Sequence, residues 1–216
     1  MTRVKLVVSD FGALVPALLA HRFDAIAAGL YITPTRCKLV AFSDPDLKLS
    51  DAAIVREGKP EHIDSYAAMV ANRQIIVGAG RGNSTAANAK AAGGPDDRLL
   101  LFPDVHSAVA ALQVGRVQVV VYSSPLIATL MTDPKIRGVS RVSHFKGLVG
   151  SDGKIKFGYS AVAFRKEDLD LLDFYNARSK EMKKDGTVAG AMTKYGFGGH
   201  ERSSSLTAKD VCDGRE

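Results

Sequence analysis

Three groups of residues in this chain of 216 could do chemistry, and all three suit holding an anion or a flat cation. The first is Gly78-Ala-Gly80-Arg-Gly82-Asn-Ser84-Thr85, which leaves the apolar run Ile75-Ile-Val77 and enters an alanine-rich stretch. Amides in the first turn of a helix have no carbonyl partner, and the helix dipole adds positive potential, so such a loop can bind anions. No Gly-Lys-Ser/Thr is present, and Asn83 stands where a dinucleotide fingerprint needs its third glycine. The acids further on, Asp96 and Asp97, fall in a loop rather than at a strand end. A carboxylate-sized anion therefore fits better than a pyrophosphate. The structural alternative is a tight turn capped by Asn83 or Ser84. The second group is Arg36, which follows the turn Thr33-Pro34 and could form a bidentate pair with a carboxylate, or simply sit on the surface. The third is the aromatic pair Phe11 and Tyr31, each directly after an expected strand, where ligands or a core would both use them. No catalytic set accompanies these groups. Ser9 and His21 complete no triad, no Gly-x-Ser-x-Gly elbow occurs, and Cys37, Cys212 and the five histidines have no metal-ligand spacing. No catalytic residue, metal or cofactor is expected.

The elements that must position these residues alternate in period. Strands are expected at Val4–Ser9, Phe23–Ala28, Leu39–Phe42, Ile75–Gly78, Leu99–Phe102, Val117–Tyr122 and Ser160–Phe164. Helices are expected at Gly12–His21, Ala86–Ala92, Val105–Val114 and Asp168–Asp185, with a further short one ending at Tyr195-Gly196. The polar stretch Gly198–Glu216 is expected to wrap the surface. Alternating strands and helices predict an α/β protein with parallel, doubly wound sheets. One internal echo refines this. Leu14 to Ile26 repeats as Ala108 to Val120 at a constant offset of 94, each an apolar helix, a turn ending in Arg22 or Arg116, and a buried strand. Any α/β protein repeats that pattern; read more sharply, it predicts two lobes of similar build. Ligands of open α/β sheets gather at strand carboxyl ends. The echo makes Gly29–Tyr31 and Ser123–Pro125 equivalent strand ends, which could face one another across a cleft.

Composition narrows the classes. With 46% apolar and 24% charged residues the chain is neither disordered nor collagen-like. Its longest apolar runs fall far short of the ~20 residues of a membrane-spanning helix. A net charge of +6 comes from scattered Lys and Arg, with only Lys180, Lys183 and Lys184 grouped, which favours a solvated face over a nucleic-acid footprint. No charged and apolar leader stands before Val4, which alone points to the cytoplasm.

Phe23-Asp-Ala-Ile-Ala-Ala-Gly-Leu-Tyr-Ile-Thr-Pro-Thr-Arg-Cys-Lys-Leu-Val-Ala-Phe-Ser-Asp-Pro45 resembles the signature of the type II solute-binding proteins of ABC importers. Gly158 to Lys166, Lys194 to Phe197 and Leu206 to Gly214 extend the resemblance over nearly the whole chain, and Tyr31 with Cys37 and Cys212 is similar to the ectoine/hydroxyectoine-binding branch. That resemblance implies a two-lobed periplasmic-binding-protein-like α/β fold. Lobe one would hold residues 1–48 and 161–216, lobe two 49–160, with hinge crossings near 42–53 and 159–164. It implies a monomeric, periplasmic binding protein, not an enzyme, that delivers a small zwitterionic solute to a permease. Arg36 would clamp the ligand carboxylate, helped by Asn83 and Ser84, or Thr85 if the alignment slips by one. Tyr31 and Phe11 would enclose the cation, with Gly29, Ser123 and Pro125 completing the contacts, and Cys37 would pair with Cys212.

Two departures matter. Amino-acid binders commonly carry an aspartate for the α-ammonium where this chain has Ser123; a free amino acid would leave that charge unpaired, so ectoine is the expected ligand. Family members also carry a secretion signal, then a strand and a helix before the segment matching Val4, so an incomplete lobe one, with weak binding or poor folding, is expected. The runner-up readings are a polar amino-acid binder and a cyclohexadienyl dehydratase-like enzyme on the same fold. The enzyme would need a general acid facing the cleft, for which no residue stands out.

Overall fold

The computed structural model of the chain describes residues 3–58, 63–150, 153–195, 197 and 206–215. It divides into unit 1, residues 1–48 and 159–216, and unit 2, residues 49–158. In chain order, unit 1 opens with α1 (Leu14–Leu19), β1 (Ile26–Tyr31), α2 (Pro34–Cys37) and β2 (Ala41–Phe42), and β3 (Leu47–Leu49) lies at the crossing. Unit 2 holds β4 (Asp51–Arg56), α3 (Tyr66–Ala71), β5 (Val77–Gly80), α4 (Ser84–Ala91), β6 (Leu99–Phe102), α5 (Val105–Gln113), β7 (Val119–Ser123), α6 (Ser124–Leu130) and β8 (Val139–Arg141). The chain returns to unit 1 through β9 (Gly158–Phe164), α7 (Leu169–Lys184), α8 (Thr187–Lys194) and α9 (Ala208–Cys212).

Unit 2 is a sheet in the order β6-β5-β7-β4-β8 with an apolar layer on each face. The two-residue alternation of strands sorts side chains between those layers. Val120 and Tyr122 face Ala108, Leu112 and Ile127, while Val119 and Val121 join Tyr66, Met69, Ala86 and Ala89. The helices start where local chemistry allows. Asp104 caps α5 by accepting from the Ser107 amide at 2.8 Å, and Gly115, at φ 78°, turns the chain out of it.

Unit 1 is built on β9, which is buried from Tyr159 to Phe164 and pairs antiparallel with β1 and β2 and also pairs with β3. Leu14 and Leu18 of α1, Ile26 and Leu30 of β1, and Val211 of α9 share its core. Arg165, 5% exposed, fastens this core's edge. Its guanidinium meets Asp24 at 2.9 Å and Asp168 at 2.7 Å and donates to the Phe23 carbonyl at 2.7 Å. A Cys37–Cys212 disulfide ties α2 to α9.

Several expectations are corrected. The sheets are not purely parallel: β5 runs parallel to β6 and β7, but β4 is antiparallel to β7 and β8, and β1 and β2 are antiparallel to β9. Val4–Ser9 forms no strand, and Val4, Leu6 and Val8 are 74%, 90% and 99% exposed; among the described residues no strand pairs with this segment. The strand expected at Phe23–Ala28 lies at Ile26–Tyr31, which puts Gly29 and Tyr31 inside it rather than beyond it. Helix α4 begins at Ser84, so Ser84 and Thr85 are helical. The elements α3, α6 and β8 were not expected, and β3 and β4 fall where only a strand-like hinge crossing near 42–53 was expected. Part of the tail folds as α9, with the Val211 side chain buried, and residues 198–205 lie outside the described residues.

Candidate ligand-binding site

In unit 1, the turn places Arg36. Thr33 adopts an extended conformation and caps α2, its Oγ1 accepting from the Arg36 amide at 3.3 Å, and Pro34 presets the first helical turn. The guanidinium is then held from two sides. Nη1 donates to the Tyr31 carbonyl at 2.7 Å, and Cζ lies 5.9 Å from the Phe11 ring centroid. A guanidinium at that distance from a ring face gains a cation–π attraction and can still form paired bonds to a carboxylate. Burial lowers the Arg36 pKa, yet guanidinium remains charged at neutral pH. Tyr31 is 6% exposed and ends β1. Two residues earlier Gly29 takes φ 65°, a left-handed value that suits glycine, beside a register irregularity in the β1–β9 ladder. The structure thus brings Phe11, Tyr31 and Arg36 together.

In unit 2, β5 leads into α4 through the glycine-rich loop. A Cβ on Gly80 would stand 2.3 Å from Asn83 Nδ2 and 2.8 Å from a Tyr122 ring carbon, so only glycine lets the Asn83 side chain fold back there. Asn83 occupies the N-cap position of α4 but makes no side-chain capping bond. The tight turn with Asn83 at the N-cap is thus realised, but without a side-chain capping bond from Asn83 to the first-turn amides of α4. Ser84 is half-buried, whereas Thr85 is 2% exposed and donates its hydroxyl to the Val121 carbonyl at 3.3 Å. Thr85 fastens α4 to β7. Ser123 ends β7, and Pro125 lies in the first turn of α6, both half-buried. Because β5 and β7 run parallel, with Ala79 opposite Val121, the loop at Asn83 and the segment Ser123–Pro125 share one end of the sheet.

One charged residue at that end was missed. Asp51 begins β4 directly opposite Ser123 in the ladder, is 7% exposed, and is bonded by Tyr66 and Asn88. The available signal was an acid opening the otherwise apolar run Ala52-Ala-Ile-Val55.

The profile described as bacterial extracellular solute-binding proteins, family 3, matches residues 2–199. The chain belongs to this family. Family 3 proteins serve ABC transporters by binding small solutes, and the two-unit α/β architecture is their periplasmic-binding-protein fold. The chain is 30% identical over 211 residues to a probable amino-acid ABC transporter periplasmic-binding protein of Sinorhizobium fredii, covering 97% of this chain and 69% of that protein. It is 26% identical to the lysine/arginine/ornithine-binding periplasmic protein of Escherichia coli, over 88% of this chain and 70% of the relative. The solved structure of EhuB in complex with hydroxyectoine is similar with a TM-score of 0.80 at 30% identity, over 95% of this chain and 77% of that one.

Proposed function

We propose that this family 3 protein binds ectoine or 5-hydroxyectoine and delivers it to an importer permease as a monomer. The observation that carries the reading is the Arg36 arrangement, a guanidinium fixed by the Tyr31 carbonyl and the Phe11 ring. In this reading Arg36 and the α4 amides at Asn83 and Ser84 grip the solute carboxylate. Phe11 and Tyr31 offer π faces to the delocalised cation, worth ~0.5–2 kcal/mol each. Gly29 allows the left-handed turn of the strand just before Tyr31, at φ 65°. The likeness to EhuB supports the solute class. The Sinorhizobium relative, a probable amino-acid transporter protein, and the lysine/arginine/ornithine-binding Escherichia relative favour a second reading, a polar amino acid as ligand.

Calorimetry with ectoine, L-glutamine, L-arginine and glycine betaine separates the two. The ectoine reading expects heat with ectoine and none with the amino acids, and the reverse pattern replaces it by the second. In either case Arg36→Ala should weaken binding by about a hundredfold or more, because a charge-assisted pair is lost, and Arg36→Lys should recover only part. Unchanged affinity in Arg36→Ala would remove the carboxylate clamp from both readings.

A further inference from the structure

Asp51 has an arrangement that packing alone does not explain. Its Oδ2 accepts from Tyr66 Oη and from Asn88 Nδ2, each at 2.7 Å. Among the described residues no hydrogen bond reaches Oδ1, and no ion pair reaches the carboxylate. The residue lines a polar recess of about 370 Å³, walled also by Ser50, Arg141, Ser143 and His144, all of unit 2. Arg141 does not neutralise it; that guanidinium donates to Ser124 Oγ at 2.7 Å. Burial pushes the Asp51 pKa up, with the Asn88 and Tyr66 donors pulling it back down. A mostly buried carboxylate with one oxygen held by neutral donors and the other open to the recess is poised to take a charge-assisted bond from a cation.

The ladder register sets Asp51 beside Ser123. Asp51 and Ser123 are direct cross-strand partners, so their side chains leave the sheet on the same face, with Cβ atoms about 5 Å apart. Asn88 belongs to α4, whose first turn carries the Ser84 amide, so the same helix braces Asp51 and presents the anion-holding amides. We propose that Asp51 is the unit 2 anchor for the cationic group of the solute, an ammonium, amidinium or guanidinium, supplying the charge that Ser123 lacks. This rests on the reading of the ligand as a zwitterion. Tyr66 and Asn88 hold Oδ2 so that Oδ1 presents its lone pairs to the incoming N–H donors. A zwitterion then meets opposite charges at both ends, and neutral Ser123 no longer excludes an ammonium.

The test is calorimetry on the full chain with ectoine, L-arginine and L-glutamine as probes, alongside thermal melts. Asp51→Asn should weaken the probes that bind by about ten- to hundredfold, the range of a charge-assisted bond. Asn88→Ala removes one brace but keeps the charge, and should cost well under tenfold. Asp51→Asn within threefold of the parent, or equal losses in both variants, would overturn the anchor while leaving the zwitterion reading intact. No heat with any probe in the parent chain would overturn the zwitterion reading itself, and the anchor with it. If Asp51→Asn does not fold, Ser123→Asp decides. It adds a second carboxylate beside the first and should gain less than threefold; a gain of tenfold or more means the cation had no anion in unit 2.

Discussion

Residues 5–8 and β6 occupy equivalent positions in the internal repeat, since Lys5-Leu-Val-Val8 lies 94 residues before Leu99-Leu-Leu-Phe102. Apart from Lys5 both segments are apolar, and residues 5–8, with Val7 and Val8, are the richer in β-branched strand formers. In unit 2 the segment is a strand laddered to β5 from Val77/Leu99 to Gly80/Phe102, with Leu99 and Phe102 buried. In unit 1 it has no strand, and Leu6 and Val8 lie almost wholly in solvent. The neighbours account for the difference. Strand β7 has β5 on one side and β4 on the other, whereas β1, its counterpart, pairs with β9 alone among the described residues. Strand propensity measures fit to a pleated surface, and without a neighbour the same composition yields extended, hydrated chain. Unit 1 depends correspondingly more on point fastenings: the disulfide and the Arg165 cluster.

The largest effect that could break this comparison is at the disulfide. It spans 175 residues of sequence with both ends in unit 1, and chain-entropy arguments give about 5 kcal/mol for such a closure. Dithiothreitol, or Cys37→Ser with Cys212→Ser, should lower the melting of unit 1 strongly and leave that of unit 2 in place, as read by calorimetric scans or hydrogen exchange. A uniform shift of both units would mean that unit 1 does not lean on the bridge. Next in size is the equivalent pair of side chains. Phe102→Ala should cost about 3–5 kcal/mol through the cavity it leaves, while Val8→Ala should change stability by less than about 0.5 kcal/mol. Urea unfolding of both variants checks this, and similar losses at both positions would show that residues 5–8 are packed in solution.

The same physics separates what was legible in the sequence from what was not. Leu99–Phe102 was placed to the residue, and the helices α5 and α7 to within one residue at each end, because each carries an unbroken apolar period. Val4–Ser9 has an equally clear period and failed, since periodicity cannot report whether a partner strand exists. The antiparallel β4 was anticipated only as part of the hinge crossing near 42–53, and its course to Arg56 was missed because Ser50 and Asp51 interrupt the apolar start of the run. At the candidate site, the turn at Thr33-Pro34 was legible from residue types, whereas the grouping of Phe11, Tyr31 and Arg36 came only with the family resemblance, since residue types alone equally allow a surface arginine and core aromatics. Asp51 was not legible, because its proximity to Ser123 is a matter of ladder register between segments some seventy residues apart. Thr85 went the other way: its hydroxyl turned out to serve the β7 carbonyl.

A smaller effect sharpens the contrast through pH. Asp46, between β2 and β3, donates its amide to the Ser160 carbonyl at 2.8 Å and so sits against β9, with Tyr175 Oη 3.5 Å from its Oδ1. Burial raises its pKa from 3.8 to about 6, although Lys183 and the Tyr175 hydroxyl act in the opposite direction. The folded state therefore holds a proton that the unfolded chain releases near pH 4. The associated stability is fully present below about pH 4 and is lost as pH rises through about 6. A shift of about two units corresponds to at most about 3 kcal/mol. Asp46→Asn keeps a neutral side chain at every pH, so unit 1 of the variant should match the parent near pH 4 and exceed it at pH 7 to 8. Urea unfolding from pH 4 to 8 reads this directly. Parallel profiles for parent and variant would show that the Asp46 carboxylate is no less hydrated in the folded protein than in the unfolded chain.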